Sequence, residues 1–157
     1  MNDSKVPALD PTLVLVILRI TLGAFFLSTF FENLGKGLYG AEGYAGLIRS
    51  YIQHGRAPSI WKLVMGFTAA HAAIAGPVQA VLEASLGVSL ILGFFSRPAA
   101  LLAFGFLTGL WVSEWGIGWI WELLVPMVVA AALTLGPSGQ RAAVDVALAR
   151  RWPRLPV

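Results

Sequence analysis

Apolar residues fill four long runs of this chain, and polar or turn-forming residues separate the runs. The runs cover residues 13–31, 77–95, 98–113 and 119–135. About 20 apolar residues in helical form cross a hydrocarbon core roughly 30 Å thick, so we read each run as a membrane span. The pattern predicts an all-α integral membrane protein, a single domain over residues 1–157 built as a four-transmembrane-helix bundle.

Turn and cap residues order these spans. Only Ser96 and Arg97 separate the second run from the third, which predicts an antiparallel hairpin. Pro77 is expected in the first turn of the second span, where its missing N–H costs no hydrogen bond. Gly136 and Pro137 end the fourth span.

The connection between the first two spans, residues 32–76, is too long for an idle loop. It contains one helical apolar pattern over residues 43–53 and a second that follows Ser59. The apolar part of the second, residues 63–75, is too short to cross, so we expect an extra interfacial or re-entrant helical segment between spans 1 and 2. A fifth span is the alternative left open.

Four crossings place both termini on one side of the membrane. Basic residues are more numerous on that side, which predicts cytoplasmic termini and a multi-pass protein of a prokaryotic-type plasma (inner) membrane. The basic residues of that side are Lys5, Arg97, Arg141, Arg150, Arg151 and Arg154, and those opposite are Lys36, Arg49, Arg56 and Lys62. The connection 32–76 is then extracytoplasmic, and the tail 138–152 is a cytoplasmic amphipathic segment.

The amino-acid composition limits the partners and cofactors that we expect for this chain. Hydrophobic residues make up 57% and charged residues 12% of the chain. The 11 Lys and Arg are scattered singly, which argues against a nucleic-acid partner. Because the chain has no cysteine and only two histidines, we predict no disulfide, no iron–sulfur cluster, no metal and no haem.

Four acids are the candidate catalytic residues, one from each predicted span: Glu32, Glu83, Glu114 and Glu122. All are expected at the level of the extracytoplasmic leaflet, with Glu83 about 9 Å below the start of its span. A carboxylate at that depth needs a partner or a polar cavity, so a proton relay and a structural ion pair stay open. For Glu32 and Glu114 a solvated helix end is the simpler interpretation. Arg19, alone in the first span, is expected to snorkel towards the inner surface.

Six further residues are candidate ligand-binding positions: Asn33, Lys36, His71, Trp111, Trp115 and Trp121. Tryptophans crowd the turn between spans 3 and 4, which is typical of an aromatic belt at a membrane interface. The same side chains would also form a flat slot for a ring such as a quinone headgroup. A hydrogen-bonded interfacial role is the alternative for His71. Pro126 leaves the carbonyl of Glu122 without its helical donor.

Several blocks, taken together, resemble a known family. They are FLSTFFENLGKGLYG, YIQHGRAPSIWK, GPVQAVLEASLGVSLILGFFSRPA and LWVSEWGIGWIWELLVP. In order and spacing over about residues 13–148 they resemble the DoxX/DoxD family, and within it the DoxD-like small subunits of thiosulfate:quinone oxidoreductase. The resemblance implies a four-helix membrane subunit that works beside a second membrane-associated subunit, oxidising thiosulfate to tetrathionate and reducing membrane quinone.

The outer basic residues, Lys36, Arg49, Arg56 and Lys62, with His71, would then attract the thiosulfate dianion. Quinone, as substrate or cofactor, would enter from the bilayer and receive protons from the carboxylates. Two other functions stay open: a non-catalytic anchor or assembly subunit of a larger membrane complex, and a small-molecule transporter. Homo-oligomerisation is a further possibility that the sequence does not decide.

Overall fold

The computed structural model describes residues 11–136, and over this part of the chain all regular structure is helical. The helices in chain order are α1 (Pro11–Gly35), α2 (Ala41–His54), α3 (Ser59–Ala70), α4 (Ala72–Leu92), α5 (Ser96–Ser113) and α6 (Ile120–Leu135). The all-α prediction is confirmed for these residues. The expected tail segment, residues 138–152, lies outside them.

Helices α1, α4, α5 and α6 form a four-helix bundle. Helix α1 packs against α4 and α6, and α5 packs against α6 and α4, so the four helices surround one core. Its most deeply buried members are Leu22, Phe26, Leu86, Leu90, Ala100, Ala103, Leu107, Ala130 and Leu133. We call the end of the bundle where α1 and α5 finish and α4 begins the outer end.

Two helices, α1 with 25 residues and α4 with 21, are long and apolar enough to cross a membrane. Only 28% of the most apolar window of each is buried inside the protein, unlike the core helix of a soluble protein. Helix α6 is apolar but has 16 residues. By length and composition, α1 and α4 are therefore the two described helices capable of crossing a membrane.

Large apolar side chains cover the outward faces of the bundle. Ile17 is 55% exposed, Val81 67%, Leu101 59% and Val128 62%, one from each of the four helices. Soluble monomers rarely expose apolar surface this extensively, so these faces need a solvent other than water.

Helices α1 and α4 approach most closely at two glycines. A Cβ atom at Gly23 would lie 2.8 Å from the carbonyl oxygen of Gly87 and 2.9 Å from the backbone nitrogen of Ile91. A Cβ at Gly87 would in turn meet the Leu27 side chain at 2.7 Å. Only residues without a side chain permit this backbone approach, so the pair determines how tightly α1 and α4 pack.

Helices α2 and α3 form a short outer layer. They pack on each other and on α4, around a second apolar cluster that includes Tyr44, Ile48 and Met65. Helix α3 leads into α4 with only His71 between them. The first turns of α4 extend past the end of α1, because Gly76 on α4 contacts Tyr39, four residues after α1 ends.

Helix bounds differ from the predicted spans at the second span. We expected it to begin at Pro77, but α4 begins at Ala72 and Pro77 lies inside the helix. Ala72 is buried against the outer layer and Gly76 against the backbone of Tyr39, so the helix continues outwards past the apolar run. The connection between α1 and α4 is correspondingly shorter than residues 32–76, because α1 also continues to Gly35.

The prediction for Arg19 is wrong. Its side chain is fully buried, with 0% exposure. Arg19 lies on the same face of α1 as Val16, Gly23 and Phe26, at the spacing of successive helical turns, and this face packs into the bundle. A side chain that leaves the helix on the packed face has no path along the lipid side to the inner surface.

We expect Gly23→Ala to lower the thermal stability of the detergent-purified protein, by about 1–3 kcal/mol, because the new methyl group meets backbone atoms that cannot move aside easily. Gly105→Ala is the matched control, since nothing lies within 4 Å of a Cβ there. Equal melting temperatures for the two variants would contradict close packing at Gly23.

Candidate functional site

A cavity of about 400 Å³ opens at the outer end of the bundle. Its walls are Phe25, Ser28, Thr29, Glu32, Asn33, Lys36, Leu38, Leu47, Tyr51, Gln79, Glu83, Leu110, Glu114, Glu122 and Leu123. All four candidate acids are therefore brought to one chamber, each from a different helix or helix end. The structure supplies this convergence, and the catalytic roles assigned to the acids stay predictions.

Glu83 lies at the bottom of this cavity and is 1% exposed. Its Oε2 atom accepts hydrogen bonds from the Tyr39 hydroxyl and from Asn33 Nδ2, the latter at 3.3 Å. Its Oε1 atom accepts one from Gln79 Nε2 at 2.8 Å. Both oxygens are thus bound to neighbouring donors, which offsets the cost of burying a carboxyl group among apolar helices.

The connector between α1 and α2 carries Tyr39 to Glu83. The backbone of Tyr39 presses against α4, where a Cβ at Gly76 would be 2.4 Å from the Tyr39 carbonyl oxygen. The Tyr39 ring stacks on Phe30, with centroids 5.7 Å apart and an interplanar angle of 25°. A glycine on α4 and an aromatic ring on α1 therefore direct the hydroxyl inwards.

Glu114 caps the end of α5 and lies halfway between the interior and the surface. Its Oε1 atom accepts a hydrogen bond of 2.7 Å from the Tyr51 hydroxyl of α2. Burial raises the pKa of the Glu114 carboxyl, the Tyr51 hydrogen bond lowers it, and the nearby charge of Glu122 raises it, with an upward result. Glu114 therefore holds a proton at higher pH than an ordinary glutamate does.

A second cavity, of about 230 Å³, adjoins the turn between α5 and α6. Its walls are Trp111, Glu114, Trp115, Gly116, Gly118, Trp119, Ile120 and Leu123. The rings of Trp111 and Trp115 stack, with centroids 5.3 Å apart. Glu114 lines both cavities, and its Oε2 atom is directed at Gly118, where a Cβ would lie 3.1 Å away.

Two acids lie at the rim of the larger cavity. Glu32 is ion-paired with Lys36 one helical turn later, and both side chains are largely exposed. Glu122, in the first turn of α6, is also exposed. The acids that line the larger cavity therefore become less exposed with depth, from Glu32 and Glu122 at its rim to the fully buried Glu83 at its base.

The other ligand-binding candidates separate into two groups. Asn33 and Lys36 line the larger cavity, and Trp111 and Trp115 line the smaller one. His71 and Trp121 line neither. His71 is an exposed residue between α3 and α4, where its Nδ1 lies 2.9 Å from the Phe67 carbonyl oxygen, and the Trp121 side chain is 52% exposed.

The outer basic residues, which were expected to attract an anion, are spread over different parts of the outer end. Of the described residues, Lys36 is the one basic side chain that lines the larger cavity. Arg49 borders an alanine-lined groove between α2 and the junction of α3 and α4, and Arg56 lies over Gly116. Lys62 donates to backbone carbonyls at the end of α2. The cavity itself is acidic.

Three residues of the site were not singled out from the sequence: Tyr39, Tyr51 and Gln79. Gln79 precedes Glu83 by four residues on a helix, a spacing that places the two side chains on one face and makes the pair predictable. The tyrosines are separated from their acids by 44 and 63 residues, and no local pattern links them.

A scan of protein-family models matches this chain to DoxX over residues 14–114, well over half of its length. The chain belongs to the DoxX family. DoxX proteins are membrane proteins, so the apolar outward faces of α1 and α4 are surfaces for lipid. No curated protein matches the chain, and no solved structure does.

The DoxX match includes Glu32, Glu83 and Glu114, and it ends before α6. It also includes the two tyrosines that donate to Glu83 and Glu114. Glu122 therefore comes from a segment beyond the matched region. Among residues 11–136 of this DoxX protein, no group of three or more His, Cys, Asp or Glu is arranged to hold a metal ion.

We expect Tyr39→Phe to destabilise the protein by about 1.5–3 kcal/mol, because it removes a donor from a buried carboxylate. The measurement is thermal unfolding in detergent. Tyr44→Phe is the control, since it removes a hydroxyl that interacts with Thr68, a neutral partner. A smaller loss for Tyr39→Phe than for Tyr44→Phe would contradict the importance of the Glu83 contacts.

Proposed function

We propose that this chain is the membrane subunit of a quinone-linked oxidoreductase and that it delivers protons to a quinone on the extracytoplasmic side. The single observation that supports this is the position of Glu114, which lines both the tryptophan-walled cavity and the acidic cavity. A ring that stacks on Trp111 and Trp115 would then have a carboxyl group at its polar edge.

Reduction of one quinone consumes two electrons and two protons. In the proposed reaction Glu114, whose pKa is raised by burial, donates a proton to a quinone oxygen, and Glu122 donates or relays the second. The exposed pair Glu32 and Lys36 borders the same cavity and leads to water, so protons from the extracytoplasmic side replace those transferred.

The electrons come, in this proposal, from a second membrane-associated subunit that oxidises two thiosulfate dianions to one tetrathionate. The charge of the cavity favours thiosulfate oxidation in the partner subunit over thiosulfate oxidation in this chain. Among the described residues, four acidic side chains and one lysine line the cavity, so it offers a dianion little positive charge and would repel it wherever these acids are ionised. Thiosulfate oxidation is therefore assigned to the partner, while this chain supplies the quinone site.

We also propose that all four bundle helices cross the plasma membrane, with both termini in the cytoplasm. Helices α5 and α6 are shorter than α1 and α4 but form part of the same bundle and expose apolar faces. Helix α3 carries Ile60, Leu63 and Phe67 on one exposed face, at helical spacing. That face would lie in the outer leaflet, as expected of an interfacial helix.

A one-sided site fits this function better than a transport path does. Below the cavity the bundle core is filled by side chains with little or no exposure, such as Leu90, Leu107 and Leu133. Among the described residues, Arg19 and Ser96 are the buried polar side chains of that region, and two are too few to form a polar route to the other end of the bundle. A transporter would need one.

The proposed topology predicts the labelling of single cysteines, which the chain lacks otherwise. Gln53→Cys, at an exposed position of α2, should react with a membrane-impermeant maleimide in intact cells. Arg97→Cys, at an exposed position in the first turn of α5, should react only after the membrane is opened. Labelling of both from the same side would refute a two-sided arrangement.

Quinone reduction predicts a large effect of one acid. With thiosulfate, the partner subunit and a soluble quinone analogue, Glu114→Gln should reduce turnover about 100-fold or more, because the proton donor is lost. Quenching of tryptophan fluorescence measures binding of the analogue separately. Glu42→Gln, an acid on the alanine-lined groove, is the control and should leave turnover unchanged.

Unchanged turnover in Glu114→Gln would remove the proposed proton donor. If the analogue also failed to quench tryptophan fluorescence in the unaltered protein, the chain would have no quinone site. A role as a non-catalytic anchor of a larger complex would then be the better explanation, and co-purification of larger chains would support it.

A further inference from the structure

Lys62 belongs to α3, and its side chain binds backbone carbonyl groups at the end of α2. Its Nζ atom donates to the carbonyl oxygens of Ile52 at 2.8 Å and of Gly55 at 2.9 Å. These carbonyls belong to the last turn of α2 and to its C-cap, where backbone oxygens have no partner within the helix. A positive charge is also favoured at a helix C-terminus. Lys62 therefore fixes the position of the α2 end relative to α3.

The end of α2 is also hydrogen-bonded to the segment that follows α5. The Tyr51 hydroxyl donates to Glu114, and the Arg56 backbone N–H donates to the Trp115 carbonyl oxygen at 2.6 Å. The Arg56 side chain also lies over Gly116, where a Cβ would be 3.0 Å from its Cδ atom and where φ is +85°. One short segment, residues 51–56, thus contacts three consecutive residues of the site.

We propose that Lys62 is a positioning residue for Glu114, which it affects through the end of α2 and the Tyr51 hydroxyl. Lys62 is not among the residues that line either cavity. Removing its ammonium group frees two carbonyls, loosens the last turn of α2, and lets the Tyr51 hydroxyl move away from the carboxyl group. The inference rests on the proposed function only where it names Glu114 as a proton donor.

The direction of the effect follows from the contacts of Glu114. The hydrogen bond from Tyr51 lowers the pKa of the Glu114 carboxyl, so its loss raises that pKa. A proton donor works below its pKa, and quinone reduction should fall as pH rises through that value. Weakening the Tyr51 bond moves this decline to higher pH. The charged groups that face Glu114 across the larger cavity are Glu32, Lys36, Glu83 and Glu122, and none of them is altered in the variants below.

The test compares Lys62→Met, Tyr51→Phe and the double variant, measured by the pH dependence of turnover with the partner subunit. We expect each single variant to move the decline upwards by about half a pH unit or more. The double variant should shift no further than Tyr51→Phe alone, because both changes act through one hydrogen bond. Arg49→Met, which removes the same charge from the exposed side of α2, is the control and should not shift it.

Infrared titration of the Glu114 carboxyl band, assigned by its loss in Glu114→Gln, provides a readout that needs neither quinone nor partner. A shift of this band in Lys62→Met without any quinone reduction would uphold the positioning role and refute the proposed function. An unshifted band, or shifts in Lys62→Met and Tyr51→Phe that add in the double variant, would overturn the positioning role. If Lys62→Met does not fold, Lys62→Gln replaces it: a smaller upward shift supports the inference, and no shift overturns it.

Discussion

Burying a carboxyl group inside an apolar bundle imposes the strongest constraint on this structure. An acid with 1% exposure and no partners would cost several kcal/mol, so Glu83 needs donors around both oxygens. They come from the end of α1, from the connector after it and from the preceding turn of α4. The connector reaches Glu83 only because Gly76 lets the backbone of Tyr39 approach α4. One acid thereby determines the path of the chain between two helices.

The second acid at the same end is held in a different way. Glu114 follows the last turn of α5, is half-buried, and receives one side-chain hydrogen bond, from Tyr51. Its other oxygen is directed at the smaller cavity. Glu83 has both oxygens engaged by neighbouring donors, whereas the hydrogen bond from Tyr51 engages one oxygen of Glu114. In the proposed function Glu83 is a structural centre and Glu114 is the proton donor.

Helices α2 and α3 explain why the site lies at one end only. They pack over the extended start of α4 and contact the end of α5, where Trp61 Nε1 donates to Ser113 Oγ at 2.9 Å. The rest of the bundle has no such layer and is filled by apolar side chains. The polar side chains that line the two cavities therefore lie at the outer end, and the described core of the bundle is mainly apolar. Among the described residues, Arg19 on the packed face of α1 and Ser96 at the start of α5 are buried polar exceptions.

The local pattern of apolar and turn-forming residues was sufficient to predict where most of the bundle helices begin and end. Apolar runs and turn residues predicted α1, α5 and α6 to within about four residues of their observed ends, because both signals act between neighbours in the chain. The same reasoning placed one acid on each helix at one end, and the structure brings all four to one cavity. The spacing of Gln79 and Glu83 was also readable from the sequence.

Only the tertiary structure determined how each helix is rotated about its axis and which path each connector follows. Rotation of α1 placed Arg19 inside the bundle, and the path of the connector placed Tyr39 against Glu83, 44 residues away. The outer layer extended α4 back to Ala72 and separated His71 from the acids. Apolar periodicity is weak in helices that are apolar on most sides, so it leaves these rotations undetermined. Packing against the other helices determines these rotations.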